Sequence, residues 1–218
     1  SKDATIREIH HRVKNNLQTI SSLLRLQSRR IAADEARSAL ADAERRVRAI
    51  AVVHEVLSRE AVDTLDFGEV VAALGRYVEE SSQPERRVRL RIVGHSGQLP
   101  AEVATPLAVV VAELVQNSLE HGFPPEAPAL VPEAGAVTVE FSRRAGQLAV
   151  VVSDNGVGIP ADFELSRSAS LGLSLVDSLV RTQMGGRLSV AGAQPNGTVV
   201  RLEIPLPEAD QPTAKAGS

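Results

Sequence analysis

Five short stretches hold residues whose types and spacing could do chemistry. Residues 8–17 read E-I-H-H-R-V-K-N-N-L. A neutral imidazole is a good nucleophile toward phosphorus near pH 7. Asn15 follows His11 by four residues, which on a helix is the same face. Residues 113–121 read E-L-V-Q-N-S-L-E-H, with Glu113, Asn117 and His121 at i, i+4 and i+8. Val110, Val111, Leu114 and Leu119 fall on the apolar side. An Asn amide oxygen is a hard, neutral ligand of the kind Mg²⁺ accepts alongside phosphate oxygens. Residues 150–160, V-V-V-S-D-N-G-V-G-I-P, end an apolar strand at Asp154, with Gly156 and Gly158 after it. A carboxylate fixed there could accept a hydrogen bond from an amine on a ligand base, and glycines permit close approach. Residues 170–175, S-L-G-L-S-L, open a helix at Ser170, Leu171 and Gly172. Backbone N–H groups at such a start bind phosphate, although Ser170 could equally be an ordinary cap. Asn196-Gly197-Thr198 precedes the last strand and by itself says only turn. Taken singly, each stretch has a plain structural explanation: surface helix positions, a solvated polar face, a D-N-G turn.

The elements that must position these residues follow from periodicity. The first 60 residues hold no Gly and no Pro. Ile6, Ile9, Val13, Leu17, Ile20 and Leu24 step by three and four, as do Ala36, Leu40, Ala43, Val47, Ile50 and Leu57 less strictly. This predicts two helices, over 3–32 and 34–60, turning near Ala33-Asp34. The seam of such a hairpin is too exposed for one copy, so pairing into a dimeric four-helix bundle is expected; the alternative is packing on the chain's own C-terminal part. On a wheel of 100° per residue, His11 lies about 155° from the stripe and His10 about 55° from it. His11 is therefore the imidazole presented outward.

Beyond Leu65 the pattern becomes mixed. Helices are predicted over 67–82, from Pro100 as first helical residue to Leu119, and over 171–183. Strands are predicted over 87–93 (strictly alternating, hence half-buried), 136–142, 147–153, 187–192 and 198–204. Residues 122–135 are rich in breakers and read as a loop. The tail from Glu208 is polar without periodicity, and disorder is expected there. The fold class is α+β: an N-terminal antiparallel helical hairpin, residues 1–62, then an α/β sandwich, residues 63–207, with a mixed, mostly antiparallel sheet of about five strands.

Composition removes several classes of function. The chain has 218 residues with 43% hydrophobic and 23% charged, an ordinary globular balance. It has no Cys, which excludes disulfide scaffolds, Cys-based zinc sites and thiol catalysis. Four Phe, one Tyr and no Trp leave no aromatic platform for single-stranded nucleic acid. A net charge of −3 implies no polyelectrolyte partner. No apolar run approaches a membrane span, and the start shows no signal-peptide pattern. The only Met is Met184, so a fragment or processed product is expected, with a segment missing upstream.

In order and spacing the five stretches resemble the transmitter region of sensor histidine kinases, in the subfamily with the H-R-V-K-N-N-L signature. E-L-V-Q-N-S-L-E-H-G is similar to that superfamily's N box, D-N-G-V-G-I-P to its G1 box, S-L-G-L-S-L-V to its G2 box and G-T-V-V-R-L to its G3 region. The resemblance spans residues 5–206. It implies a Bergerat-type sandwich with ATP between helices and sheet, and His11 as phosphoacceptor. Asn117 would hold Mg²⁺, Glu113 would stand near the phosphates, and Asp154 would read the adenine amino group. Gly156 and Gly158 would pass close to the nucleotide. Ser170, Leu171 and Gly172 would face the phosphates, Thr198 would support the adenine pocket, and residues 158–170 would form a lid. Asn15 could position a water for the reverse phosphatase reaction. The nucleotide domain would swing on a linker near 62–64.

The implied partners are a second copy, the receiver domain of a response regulator (one resembling an RNA-binding antiterminator regulator) and a sensory domain upstream, with no direct nucleic acid or membrane contact in this stretch and a cytoplasmic location. Cis or trans transfer depends on the handedness of the turn near Ala33. There are departures from the pattern. Arg12 stands where many kinases have an acid, and a cation there would favour neutral His11. Glu120 replaces a Lys three residues after Asn117, removing one phosphate contact. Ser168-Ala169-Ser170 replaces a first G2 glycine, shortening the lid. Two rivals remain: a related ATPase or anti-sigma-factor-type Ser/Thr kinase, and a non-catalytic nucleotide-binding dimer module.

Overall fold

The structure is a computed structural model, and it describes residues 2–60, 64–81, 88–124, 135–160 and 171–207. The linker residues 61–63, most of the expected lid with Ser170, and the tail from 208 lie outside the described residues.

The hairpin forms from α1 (Lys2–Ser28) and α2 (Asp34–Glu60). Acidic residues open each helix (Asp3; Asp34 and Glu35) and an arginine lies in each last turn (Arg25; Arg59), matching the helix dipole. The first helix ends four residues earlier than its pattern predicts. Ser28 donates its hydroxyl to the Arg25 carbonyl, and Arg30 and Ile31 make tight bonds to Gln27 and Ser28. These i→i−3 bonds close the helix without a Gly or Pro.

Polar ties set the helix pair in register. Ser21 donates to Glu44 at 2.7 Å, and Lys14 lies 3.8 Å from Glu55. His10 Nδ1 meets His54 Nδ1 at 2.9 Å, with the ring centroids 5.2 Å apart. Burial, and then the neighbouring His10, lower the His54 pKa. A pKa lowered in the fold means the unfolded chain binds more protons as pH falls below the ordinary value of 6.5, so this contribution to stability is whole above that value and is lost as pH drops through it. The thermal midpoint should therefore fall between pH 7.5 and 5.5. His54→Asn should flatten that slope, and an unchanged slope in the variant would contradict the assignment.

The predicted apolar stripe of α1 is split. Ile6, Val13, Leu17 and Leu24 are half-buried, whereas Ile9 and Ile20 are 53% and 44% exposed, as are Leu23 and Leu26 at 54% and 56%. The C-terminal half of α2 (Ala49, Val52, Val53, Val56, Leu57) is buried within the chain's own core, where α2 packs on α4. The uncovered part of the expected bundle seam thus belongs to α1.

The remainder is one helical layer on one sheet. β1 (Thr64–Asp66) and β3 (Gln98–Pro100) pair antiparallel as a small ribbon that the sequence pattern does not reveal, because three residues are too short for alternation to register. Asp66 then opens α3 (Phe67–Ser81), accepting from the Gly68 N–H and the Ser96 hydroxyl. β2 (Arg89–Gly94), β4 (Ala136–Arg144), β5 (Gln147–Asp154), β6 (Arg187–Gly192) and β7 (Thr198–Pro205) make a five-stranded sheet in the order β2-β4-β5-β7-β6. Only the β2–β4 pair is parallel. Alternate residues Val137, Val139 and Phe141, then Leu148, Val150 and Val152, then Val200, Leu202 and Ile204 point into the core. β2 is not half-buried as its alternation predicts. It is an edge strand with Ile92 and Val93 substantially exposed, and Arg89 and Arg91 outward. Edge charges of this kind discourage pairing with another sheet.

The central helix α4 (Ala101–Asn117) begins after Pro100, which is its N-cap rather than its first turn. Beyond Asn117 it widens into a π-helical turn, Ser118–Gly122. A shorter helix α5 (Leu171–Ser178) ends in a second π-helical turn, Leu179–Gln183.

Candidate functional site

His11 stands exposed on α1, whereas His10 is half-buried against His54. Asn15, one turn on, brings its amide to 3.4 Å from His11 Nδ1. Arg12 does not act on the imidazole unopposed. Its Nε donates to Glu8 at 2.6 Å, and that bond holds the Glu8 carboxyl below the usual range.

At the far end of the sheet, Asp154 ends β5 and is 6% exposed. Its Oδ1 accepts from the Gly156 N–H at 3.0 Å and the Thr198 N–H at 3.2 Å. Burial pushes its pKa up, opposed by those two N–H groups and by a hydrogen bond with the Ser118 side chain. A side chain on Gly156 would place its Cβ 2.1 Å from the Gly122 carbonyl oxygen. Gly197, at φ +112°, would place one 1.9 Å from the Asp154 carbonyl oxygen. These glycines are needed for the chain to pass against itself, which is a different close approach from the one expected toward a ligand. The Val157 N–H donates to the Gly122 carbonyl at 2.9 Å and locks the turn. Ser118, Gly122 and Gly197 therefore lie against Asp154. The first two were visible only as the end of the N-box-like string, and Gly197 only as a turn.

Glu113 and Asn117 share a face of α4, as their spacing predicts. His121 lies in the π-helical turn and is exposed. Glu113 is 2% exposed and sits at the α2–α4 seam. Arg46 of α2 grips its carboxylate in two-pronged fashion, Nε to Oε1 at 3.0 Å and Nη2 to Oε2 at 3.2 Å. No local pattern signals this contact, since Arg46 is 67 residues away in sequence. Asn117 Nδ2 is buried without a partner. Glu120, in place of the expected lysine, is exposed and accepts from Gln116. Leu171 and Gly172 form the first turn of α5, while Ser170 lies outside the described residues.

Among the described residues no three His, Asp or Glu side chains cluster to hold a metal ion. The orphaned Asn117 amide fits a magnesium–phosphate group, with its oxygen for the metal and its nitrogen for a phosphate oxygen. Magnesium keeps few protein ligands beside phosphates. Among the described residues no helix is long and apolar enough to cross a membrane.

Comparison with known proteins gives consistent matches. Residues 8–82 match a family described as "Histidine kinase", and residues 102–208 one described as "Histidine kinase-, DNA gyrase B-, and HSP90-like ATPase". The chain is 45% identical over 206 residues to sensor histidine kinase PdtaS of Mycobacterium tuberculosis, covering 94% of this chain and 40% of the relative. It is 31% identical to blue-light-activated histidine kinase 2 of Erythrobacter litoralis, covering 94% of this chain and 58% of the relative. It therefore spans about two fifths of the PdtaS sequences it matches. The solved histidine kinase domain of E. litoralis EL346 superposes with a TM-score of 0.60 at 28% identity, covering 94% of this chain and 95% of that one.

Proposed function

We propose that the chain, a member of the histidine kinase family by its two matched regions, takes the γ-phosphoryl group of Mg-ATP onto His11 and passes it to an Asp of a response regulator receiver domain. The observation that carries this reading is the division of labour between adjacent imidazoles: His10 is committed to His54, and His11 faces solvent. In the reaction the imidazole lone pair attacks the γ-phosphorus. A P–N bond forms, the bond to the bridging oxygen breaks, and ADP leaves. The Asn15 Nδ2 is the atom placed toward His11 Nδ1; with the amide turned over, its oxygen would accept the ring N–H and keep the other nitrogen free.

Asp154 would accept the adenine amino group with the oxygen lone pairs left by Gly156 and Thr198, which explains a buried acid at a strand end. Asn117 would hold Mg²⁺, which when bound neutralises charge on the phosphates. Residues 63–207 would thus be the nucleotide-binding part and residues 1–62 the dimerisation and phosphotransfer part. Glu113 docks on α2 at Arg46, whereas His10 faces His54. Eight residues separate the two levels, about 12 Å of helix axis at the usual rise. The nucleotide-binding part would therefore travel along the hairpin to reach an acceptor histidine.

A second copy is supported by Ile9, Ile20 and Leu23, exposed and within about 60° of one another on α1. Drawing on ATP, the kinase would work in the cytoplasm.

The test is the chemistry of the label. After incubation with γ-labelled ATP, the protein-bound phosphate should be lost in acid and retained in alkali. Acid-stable label would favour a Ser/Thr kinase, and no label with either Mg²⁺ or Mn²⁺ would favour a non-catalytic nucleotide-binding module.

A further inference from the structure

Among the described residues, two buried side-chain polar atoms have no hydrogen-bond partner, Arg45 Nε and Asn117 Nδ2. Both border Glu113. Arg45 Nε lies 3.9 Å from Glu113 Oε1, too far for a hydrogen bond. Asn117 is one turn further along α4 on the same side. Both orphans are donors, and the Glu113 carboxylate beside them is held by Arg46, which bonds each of its oxygens, with Arg45 Nε beyond hydrogen-bond reach of it. The seam between α2 and α4 therefore holds donors that no acceptor reaches, where buried polar groups are normally satisfied. The group that would complete it accepts without donating, carries negative charge and offers several oxygens; a phosphate meets all three conditions.

We propose that Arg45 of α2 is a phosphate contact of the nucleotide site: its Nε–H and the Asn117 amide take oxygens of the terminal phosphate when a nucleoside triphosphate binds. The helical hairpin then supplies the cation that α4 lacks, since the position expected to hold a lysine is Glu120, exposed and turned to Gln116. Arg45 is steadied by Asp42, whose Oδ1 accepts from Nη2 at 2.8 Å. Arg46 neutralises Glu113, so that carboxylate does not repel the incoming anion. The seam is closed around these atoms, and the phosphate would enter as α2 and α4 part there. Triphosphate and diphosphate are thereby distinguished by the hairpin, which also bears His11.

This proposal rests on the nucleotide-binding reading above, and the experiment separates the two. Calorimetric titration of the full chain in Mg²⁺ uses ADP and the imido analogue of ATP. Arg45→Gln should weaken the triphosphate analogue about tenfold, the scale of one charge-assisted hydrogen bond, with ADP within about twofold of wild type. Arg45→Lys, which keeps the charge without the fork, should recover part of the loss. Unchanged or tighter triphosphate binding in Arg45→Gln overturns the proposal, as does an equal loss for both nucleotides, which would make Arg45 structural. Asp154→Asn is the control: if it loses both nucleotides while wild type binds both, the nucleotide reading stands and Arg45 is judged alone. If wild type binds neither, both readings fall together.

Discussion

Replacing His11 by glutamine removes γ-phosphoryl incorporation, by a factor on the order of a thousand or more, while nucleotide affinity stays within about twofold of wild type. The loss is large because glutamine has no lone pair of comparable nucleophilicity. The rest is preserved because His11 is exposed on α1, where its side chain meets the exposed Asn15. Surface substitutions of this kind shift stability by about half a kcal/mol or less. His10→Gln is the informative companion. It removes the partner of His54, at a cost of about 1 kcal/mol for one hydrogen bond, and should lower the unfolding midpoint. It leaves the exposed nucleophile in place, so labelling should persist within a few fold. The reverse pattern, with label lost in His10→Gln and kept in His11→Gln, would reassign the acceptor.

Asp154→Asn should weaken nucleotide binding by about a hundredfold, yet leave the fold at least as stable at pH 7. The affinity loss follows from chemistry. Asparagine keeps one oxygen for the Gly156 and Thr198 N–H groups, but the other terminus becomes a donor facing the amine of the base. Losing a hydrogen bond to a charged group and adding a donor–donor clash is worth roughly 1.5–3 kcal/mol. The stability expectation follows from linkage. Burial raises the Asp154 pKa above its ordinary value, so the folded chain binds more protons than the unfolded one between those two values. This contribution to stability is whole below the ordinary carboxylate pKa and declines as pH rises through the folded value. A neutral asparagine removes that penalty. Calorimetric titration paired with thermal unfolding checks both halves, and a variant that binds normally, or one that simply unfolds, would contradict this role.

Apart from the edge strand β2, the sheet was legible because its strands alternate cleanly: Val137, Val139 and Phe141 face inward, and the strand boundaries differ from the pattern by at most two residues. The hairpin was legible from its unbroken periodicity and its want of Gly and Pro. Two features escaped for physical reasons. The β1–β3 ribbon is too short for a period, and the π-helical turn at Ser118–Gly122 leaves no mark in hydropathy. The Asp154 pocket was half legible. The D-N-G turn pointed to Asp154, but Gly122 and Gly197 close on it from distant segments, through contacts that no local window contains. The seam joining Arg45 and Arg46 to Glu113 lies beyond any local signal, since it depends on how α2 packs on α4. The α1 stripe illustrates a further limit: periodicity shows that a face is apolar but not what covers each part of it. In the folded chain four of its six residues are half-buried, while Ile9 and Ile20 stay exposed, as do Leu23 and Leu26 outside the stripe.

The most direct measurement is the position of the phosphoryl group itself. The full chain is incubated with Mg-ATP, kept and digested at neutral to mildly alkaline pH to protect a P–N bond, and its peptides are sequenced by mass spectrometry with a fragmentation that preserves the modification. The phosphoryl group should lie on His11, in the peptide around residues 8–12. A phosphoryl group on His10, on a serine or threonine, or on no residue while ATP is bound would contradict the assignment of His11 as the acceptor.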